Sequence, residues 1–322
     1  MNSTPALPRP RPPLKLLYRL PLPLLELGLV VSWSSGFIGA RFSIDYAPAL
    51  LVVFWRCVLV TVALLPFVFG ALKDTPVRVL LKNAGIGLLA MGGYLLGVVQ
   101  GVALGVPAGL AALLADLLPV GMALLAAGVL HQRLHRSVWT GLGIGLAGVV
   151  LVAHDALALG NAPLWAYSLP LLGMASLAVA TLWQKRLQPH ESLGLLANLW
   201  LQCAVCVVAF GMVVASQGSL LPLPTTGFAL SVLWTATIAT LGGYGLYWLC
   251  LKRSTPTRVA SVLYLSPAVT LLWAWAVFDE PLSWLMLLGT AVSAVGVWRV
   301  VRGEARVPEP VQGAEHVGQS TD

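Results

Sequence analysis

The hydrophobic pattern of the chain is a series of long apolar stretches, separated by short connections that hold most of the proline and charge. A helix needs about 20 mostly apolar residues to cross a bilayer. On that criterion the pattern predicts ten membrane-spanning helices, at residues 24–42, 49–70, 83–102, 108–130, 138–153, 163–184, 193–215, 228–250, 258–278 and 284–302.

The two ends of the chain differ from these stretches. Residues 1–23 are Pro-rich and basic, and a cleaved signal peptide is one interpretation of them. Pro21, Pro23 and Glu26 interrupt the apolar region that such a peptide needs, so we favour a cytoplasmic N-terminal segment before an uncleaved first helix. Residues 303–322 are polar and poor in large apolar groups, which predicts a disordered cytoplasmic tail.

An internal repeat divides the chain. Residues 108–148 align without a gap on residues 256–296, at a constant offset of 148, and nine of the 41 positions are identical. Pro119 falls on Pro267 in this alignment, and paired prolines and glycines are informative because their backbone roles are specific. We therefore predict two related five-helix halves, at residues 24–153 and 154–302.

The composition indicates that lipid is the main solvent. The chain is 58% hydrophobic and 10% charged, whereas soluble domains carry about 25% charged residues. The net charge of +7 has a topological cause, because 17 of the 19 Lys and Arg residues fall on one side when the N-terminus is cytoplasmic. A nucleic-acid partner is therefore not needed to explain it.

The charge pattern also predicts that the second half is inverted. Five helices return the next half upside down, so the fourth helix should end inside and the ninth outside. Basic residues at 131–136 follow the fourth helix, and Asp279-Glu280 follow the ninth. The predicted fold is an all-α membrane protein of ten transmembrane helices as two inverted five-helix repeats, in the cytoplasmic (inner) membrane with both termini cytoplasmic.

Several short motifs, in a particular order, resemble a known family. They are Trp33-Ser34-Ser35-Gly36-Phe37 through Arg41, then Trp55-Arg56, the two proline-bearing helices, and Glu280-Pro281-Leu282 followed by Gly289 and Gly296. Over about residues 24–302 the chain resembles the EamA branch of the drug/metabolite transporter superfamily. One departure is Gln132, where members often carry Glu. The resemblance implies a secondary transporter that exports or exchanges small metabolites, such as amino acids or drug-like compounds, by alternating access.

Two charged residues lie inside predicted helices. Asp116 precedes Pro119 by three residues, and a charge at the bilayer centre costs about 2.5–3.5 kcal/mol even on a lenient scale. Asp116 is therefore a candidate proton-coupling or substrate-amine site, or else a structural partner of Arg56. Arg56 could hold a substrate carboxylate or form a buried pair with Asp116. If they pair, neutralising either residue alone should be more harmful than neutralising both.

Other residues are candidates for the cavity wall and for hinges. Aromatic side chains with a polar group, away from the predicted interfaces, suit a substrate site or simple packing; these are Trp33, Tyr94, Trp183, Tyr244 and Tyr264. Pro119 and Pro267 each remove a backbone hydrogen bond, so they are candidate hinges or tolerated kinks.

Three motifs that suggest cofactors or metals have plainer interpretations. Gly143-x-Gly145-x-x-Gly148 matches a dinucleotide fingerprint as a string, but it lies inside an apolar helix. A small-residue surface for helix packing explains it better, made of Gly141, Gly145, Gly148, Gly289, Ser293 and Gly296. Cys203-x-x-Cys206 reads as apolar filling, and His131 with His135 as a loop pair, so we expect no metal and no cofactor.

The expected partners are a small-molecule substrate, the lipid bilayer and, through Asp116, protons. An organic-phosphate or nucleotide-sugar exchanger of the same superfamily is the nearest alternative, although Arg56 is the one intramembrane cation available to it. A membrane-embedded enzyme would need a cluster of catalytic residues around Asp116, so we expect no enzyme. A non-transporting membrane scaffold is the third alternative, and oligomeric state and substrate identity stay open.

Overall fold

The structure is a computed structural model that describes residues 19–128, 136–159, 162–254 and 256–304. Within these ranges all regular secondary structure is helical. The helices are α1 (Leu22–Ser43), α2 (Ala49–Lys73), α3 (Val77–Ala103), α4 (Ala108–Ala115), α5 (Leu118–Gly128), α6 (Arg136–Leu159), α7 (Ser168–Lys185), α8 (Leu195–Gln217), α9 (Thr226–Arg253), α10 (Pro256–Leu263), α11 (Ser266–Phe278) and α12 (Trp284–Glu304).

Each predicted apolar segment coincides with helix. Six helices of the described chain are long and apolar enough to cross a membrane: α1, α2, α3, α8, α9, and α7 together with its 3₁₀ lead-in Leu164–Tyr167. Shorter apolar helices cover the other four segments, at Ala108–Met122, Arg136–Val152, Ser266–Phe278 and Trp284–Gly296. The predicted N-terminal segment, the tail, His131, His135 and Gln132 lie wholly or mostly outside the described residues.

The two proline-bearing segments are interrupted, where we predicted one spanning segment with a proline kink or hinge in each. The gaps are at residues 116–117 and 264–265, which again differ by 148 positions. Pro119 follows the last residue of α4, Ala115, by four positions, and Pro267 has the same spacing from the end of α10. A proline cannot donate to the carbonyl four residues earlier, and its ring crowds that oxygen, which disfavours continuation of the first helix. The second helix then restarts with proline in its first turn, where no donor is required.

Helix α1 runs parallel to the broken pair α10–α11. Contacts join the two along their length: Glu26 with Arg258, Ser34 with Ser266, and Arg41 with Glu280. In these three contacts the residue numbers rise together along both segments, so the two run in the same direction. Helix α1 is thus linked by polar contacts to the second broken helix at its start, middle and end.

Helices α6 and α12 cross in the antiparallel sense through small residues. Gly141 meets Gly296, Gly145 meets Ser293, and Gly148 meets Gly289, so numbers rise along one helix as they fall along the other. The Ser293 hydroxyl donates to the Gly145 carbonyl at 3.1 Å. The residues that we expected to form a packing surface therefore face one another where α6 and α12 cross.

The ion pair between Glu26 and Arg258 gives a test of this architecture. Glu26 is buried, and the second contact of the bidentate pair, from Arg258 Nη2 to Glu26 Oε2, measures 2.9 Å. We expect Arg258→Gln to lower the melting temperature more than the double variant with Glu26→Gln, because the single change leaves a buried carboxylate without this partner. Thermal unfolding in detergent measures both, and equal losses in the single and double variants would contradict the expectation.

Candidate functional site

Asp116 lies in the gap between α4 and α5, where it caps the end of α4. Its side chain is buried, with 4% of the residue exposed. Trp33 Nε1 donates to Asp116 Oδ1 at 3.2 Å, and the Ser266 hydroxyl lies close to the same carboxylate. The other oxygen, Oδ2, has no hydrogen-bond partner within the described structure. The acid predicted from the sequence is therefore buried and only half satisfied.

The opposite gap, between α10 and α11, contributes Tyr264 to the same region. Asp116 acts electrostatically on the hydroxyls of both Tyr264 and Tyr94. Each of these hydroxyls is buried and lacks a hydrogen-bond partner among the described groups. Buried polar atoms are normally paired, so one unpaired carboxylate oxygen with two unpaired hydroxyls near it is unusual in a protein interior. The carboxylate oxygen can take a proton, and all three oxygens can accept hydrogen bonds from an ammonium group or water.

A cluster of aromatic rings surrounds Trp33. The ring centroids lie 5.5 Å from Trp33 to Tyr94, 5.2 Å to Tyr244 and 5.3 Å to Tyr247. Tyr94 follows a π-helical stretch of α3, Leu88–Gly93, and Tyr244 ends the π-helical stretch of α9, Thr235–Tyr244. Such π segments shift the direction of the following side chains and are frequent at functional sites.

Arg56 is buried beside the same aromatic cluster. It is 3% exposed, and its Nε donates to Thr240 Oγ1 at 3.0 Å. No ion pair within 4 Å joins Arg56 to Asp116 in the described chain. Arg56 instead lines a cavity of about 30 Å³ together with Trp33, Tyr94 and Tyr244.

A larger cavity, of about 340 Å³, opens at the Arg41 end of α1. Its charged lining consists of Arg41, Asp45 and Glu280, with apolar walls that include Leu110 and Leu271. Glu280 accepts from the Ala108 backbone N–H at 3.2 Å and lies 3.6 Å from Arg41 Nε. Burial raises the pKa of Glu280, and the contacts to Ala108 and Arg41 partly offset this. The two halves therefore meet here through one carboxylate.

The remaining candidates lie apart from this cluster or beside it. Trp183 is 38% exposed and packs against Gly85 near the start of α3, away from the aromatic rings. Pro119 and Pro267 lie just after the two gaps that carry Asp116 and Tyr264. Cys203 and Cys206 are buried free thiols.

Three residues of the site were not predicted from the sequence: Tyr247, Thr240 and Ser266. Tyr247 lies on the same helical face as Tyr244, three residues later, and its hydroxyl lies 2.9 Å from Thr181 Oγ1. That spacing was a usable signal. Thr240 and Ser266 gave none, because a single hydroxyl residue in an apolar helix is common and usually bonds its own backbone.

An interior that brings together an acid, a cation and a layer of aromatic rings, within membrane-length helices, is the arrangement of a membrane transporter. Comparison with known proteins agrees. Residues 22–153 and 164–302 each match the EamA-like transporter family. The two matches cover most of the chain, which belongs to this family.

Individual relatives resemble the chain over nearly its whole length. The probable amino-acid metabolite efflux pump of Escherichia coli (strain K12) is 27% identical over 294 residues, which are 87% of this chain and 94% of that protein. The uncharacterized inner membrane transporter YedA of the same strain is 26% identical over 296 residues, 90% of this chain and 94% of its own length. A solved crystal structure with 17% identity has a TM-score of 0.62 and covers 88% of this chain and 98% of its own, so the fold is shared.

Proposed function

We propose that this chain exports small metabolites, such as amino acids or drug-like compounds, across the cytoplasmic membrane by alternating access, with Asp116 as the coupling group. The observation that carries the proposal is the half-satisfied Asp116 carboxylate between the two helix gaps. A buried carboxylate with a free oxygen can take a proton in one state and a cationic group in another. The name of the E. coli efflux pump supports amino-acid metabolites as the first substrates to test.

The proposed topology is ten transmembrane helices in two inverted halves, with both termini cytoplasmic. Helix directions support it, because the last helices of the two halves, α6 and α12, run antiparallel. The second helices of the halves, α2 and α8, also run antiparallel. Trp200 Nε1 donates to the Thr61 carbonyl, while Phe54 packs beside Gly211 further along α8. Inversion requires an antiparallel direction for every such pair of equivalent helices.

Alternating access is supported by the sizes of the two cavities. The inner cavity, at about 30 Å³, is far smaller than the roughly 300 Å³ at which ligand pockets begin. The cavity at Arg41 reaches about 340 Å³ and lies on the side that the charge pattern predicts to be external. The interior beside the aromatic cluster would therefore have to widen before a substrate could occupy it. The proposed hinges are the gaps before Pro119 and Pro267, where each proline removes one helical hydrogen bond from the backbone.

The alternatives have less support. A phosphate or nucleotide-sugar exchanger would favour two or more interior cations, and Arg56 is the buried basic residue of the described chain. In a non-transporting scaffold the unpaired oxygens at and near Asp116 would cost free energy without serving a function. The relatives found are transporters, which also favours a protein without enzymatic activity.

Flux through proteoliposomes tests the proposal. Purified protein is reconstituted, vesicles are loaded with labelled amino acids or amines, and efflux is followed with and without a pH gradient. We expect protein-dependent flux of at least one substrate class, accelerated when protons can move inward against it. Folded protein that gives no flux over a broad panel would favour the scaffold. A flux whose rate does not depend on the pH gradient would support the transporter function and contradict proton coupling.

A further inference from the structure

Arg56 is a buried cation that has no acidic partner among the residues that the structure describes. It is 3% exposed, and no carboxylate lies within 4 Å of it in the described chain. A charge removed from water without a partner is strongly unfavourable, so buried arginines are normally paired. An arginine also cannot escape by losing its proton. Some other negative group is therefore needed beside Arg56.

The geometry leaves most of the guanidinium group free to bind such a group. Nε donates to Thr240 Oγ1 at 3.0 Å, and the Thr240 hydroxyl in turn donates to the Thr235 carbonyl. These two hydrogen bonds orient the guanidinium group through one of its five N–H donors. Within the described structure the four donors on the terminal nitrogens stay available. Tyr244 lies within electrostatic reach of Arg56, and its hydroxyl makes one long bond of 3.3 Å to the Ala90 carbonyl.

The cavity that Arg56 lines has the size of one small ion. Its volume is about 30 Å³, and a single water needs roughly 10–15 Å³ on such a measure. Gly36 and Ala239 form part of the wall, where the short side chains leave the space open beside the guanidinium. Asp116 does not line this cavity, so the negative group does not come from the one acid of the site.

From these features we infer that the cavity beside Arg56 is a binding site for a small monovalent anion, held by the terminal guanidinium nitrogens. The anion is either a chloride ion or the carboxylate end of a transported molecule, since both present one negative charge in a small volume. The carboxylate source rests on the proposed function, whereas the chloride source does not. The competing neutraliser is a thiolate, because Cys57, Cys203 and Cys206 also lie within electrostatic reach of Arg56.

Thermal unfolding of the purified full-length protein in detergent tests the site without any transport measurement. The reference buffer contains sodium methanesulfonate, whose anion is too bulky for the cavity, and chloride or acetate replaces it at constant ionic strength. A ligand that binds the folded state raises the melting temperature and saturates. We expect a saturating rise with chloride, acetate or both. A rise with acetate alone assigns the site to carboxylates, and a rise with chloride assigns it to inorganic anions.

Matched arginine variants assign the effect to the cavity. Arg56→Gln should abolish the anion-dependent rise, whereas Arg41→Gln should retain it, because Arg41 already has acidic partners in Asp45 and Glu280. If Arg56→Gln does not fold, Thr240→Val removes the hydroxyl that orients the guanidinium and should increase the half-saturating concentration several-fold.

Two outcomes would overturn the inference. The first is equal melting temperatures in all three salts, which would point to a thiolate as the neutraliser. The second is an anion effect that persists unchanged in both Arg56→Gln and Thr240→Val. Anion binding by protein that shows no flux would support this inference and contradict the proposed function. Flux by protein that binds no anion would support the proposed function and contradict this inference.

Discussion

Asp116→Asn is expected to lower pH-gradient-driven transport by at least about 100-fold, the lower end of what a positioned proton-transfer group contributes. Asparagine keeps an oxygen to accept the Trp33 indole N–H, so the aromatic cluster should retain its geometry. What the variant loses is the ability to bind and release a proton. Proteoliposome efflux with an imposed pH gradient measures the loss, with the substrate identified for the wild type.

The same variant should not be less stable than the wild type. Burying a carboxylate is unfavourable, and Asp116 Oδ2 has no hydrogen-bond partner in the described structure to compensate for it. The melting temperature of Asp116→Asn should therefore be equal or higher. Asp279→Asn is the matched control, because Asp279 is exposed and its left-handed backbone also suits asparagine. Loss of transport in both variants, or normal coupling in Asp116→Asn, would contradict the assigned role.

The positions of the helices could be predicted because the membrane imposes a simple rule of length and polarity. The edges were less predictable where basic residues enter a helix. Helix α3 begins at Val77, six residues before the predicted edge, because Arg78 and Lys82 in its first turns hide the helix from a hydropathy criterion. Its true start follows Pro76, a residue that commonly precedes or opens a helix.

The proline gaps were only partly predictable. The repeat showed that Pro119 and Pro267 are equivalent, and their chemistry indicated a disturbed helix. Whether a proline bends a helix or interrupts it depends on how its neighbours satisfy the freed backbone groups. That information is tertiary, so the position of Asp116 in a gap rather than inside a helix followed from the structure alone.

Candidate residues for the site could be chosen from the sequence, but their hydrogen-bond and ion-pair partners could not. Five polar aromatics were chosen; Trp33, Tyr94, Tyr244 and Tyr264 gather around the two gaps, whereas Trp183 lies apart. Pairing Arg56 with Asp116 was a reasonable alternative because opposite buried charges usually meet. The described structure contains no ion pair between them; Trp33 bonds to Asp116 and also lines the cavity beside Arg56. Sequence alone does not show which buried polar groups come into contact.

The crossing of α6 and α12 should tolerate little added volume, and Gly148→Ala tests this expectation. A Cβ atom at Gly148 would lie 2.5 Å from the Gly289 carbonyl oxygen and closer still to the Ser293 backbone nitrogen. Both obstacles are backbone atoms, which cannot turn aside as a side chain can. We expect a destabilisation of about 1–3 kcal/mol, typical of overpacking, and a clear fall in melting temperature.

Gly143→Ala is the matched control, since it makes the same change in the same helix. A Cβ atom at Gly143 would meet no heavy atom of the described residues within 4 Å, so only the gain in helix propensity, up to about 1 kcal/mol, should remain. The two variants should thus move the melting temperature in opposite directions. Two similar shifts would mean that α6 and α12 do not cross at this point.

Gly145→Ala refines the test. Among the described residues its Cβ would also find open space, although Gly296 packs against the Gly145 backbone. A tolerated Gly145→Ala beside a damaging Gly148→Ala would show that the contact depends on which way each Cβ points, and not on a uniform stripe of small residues.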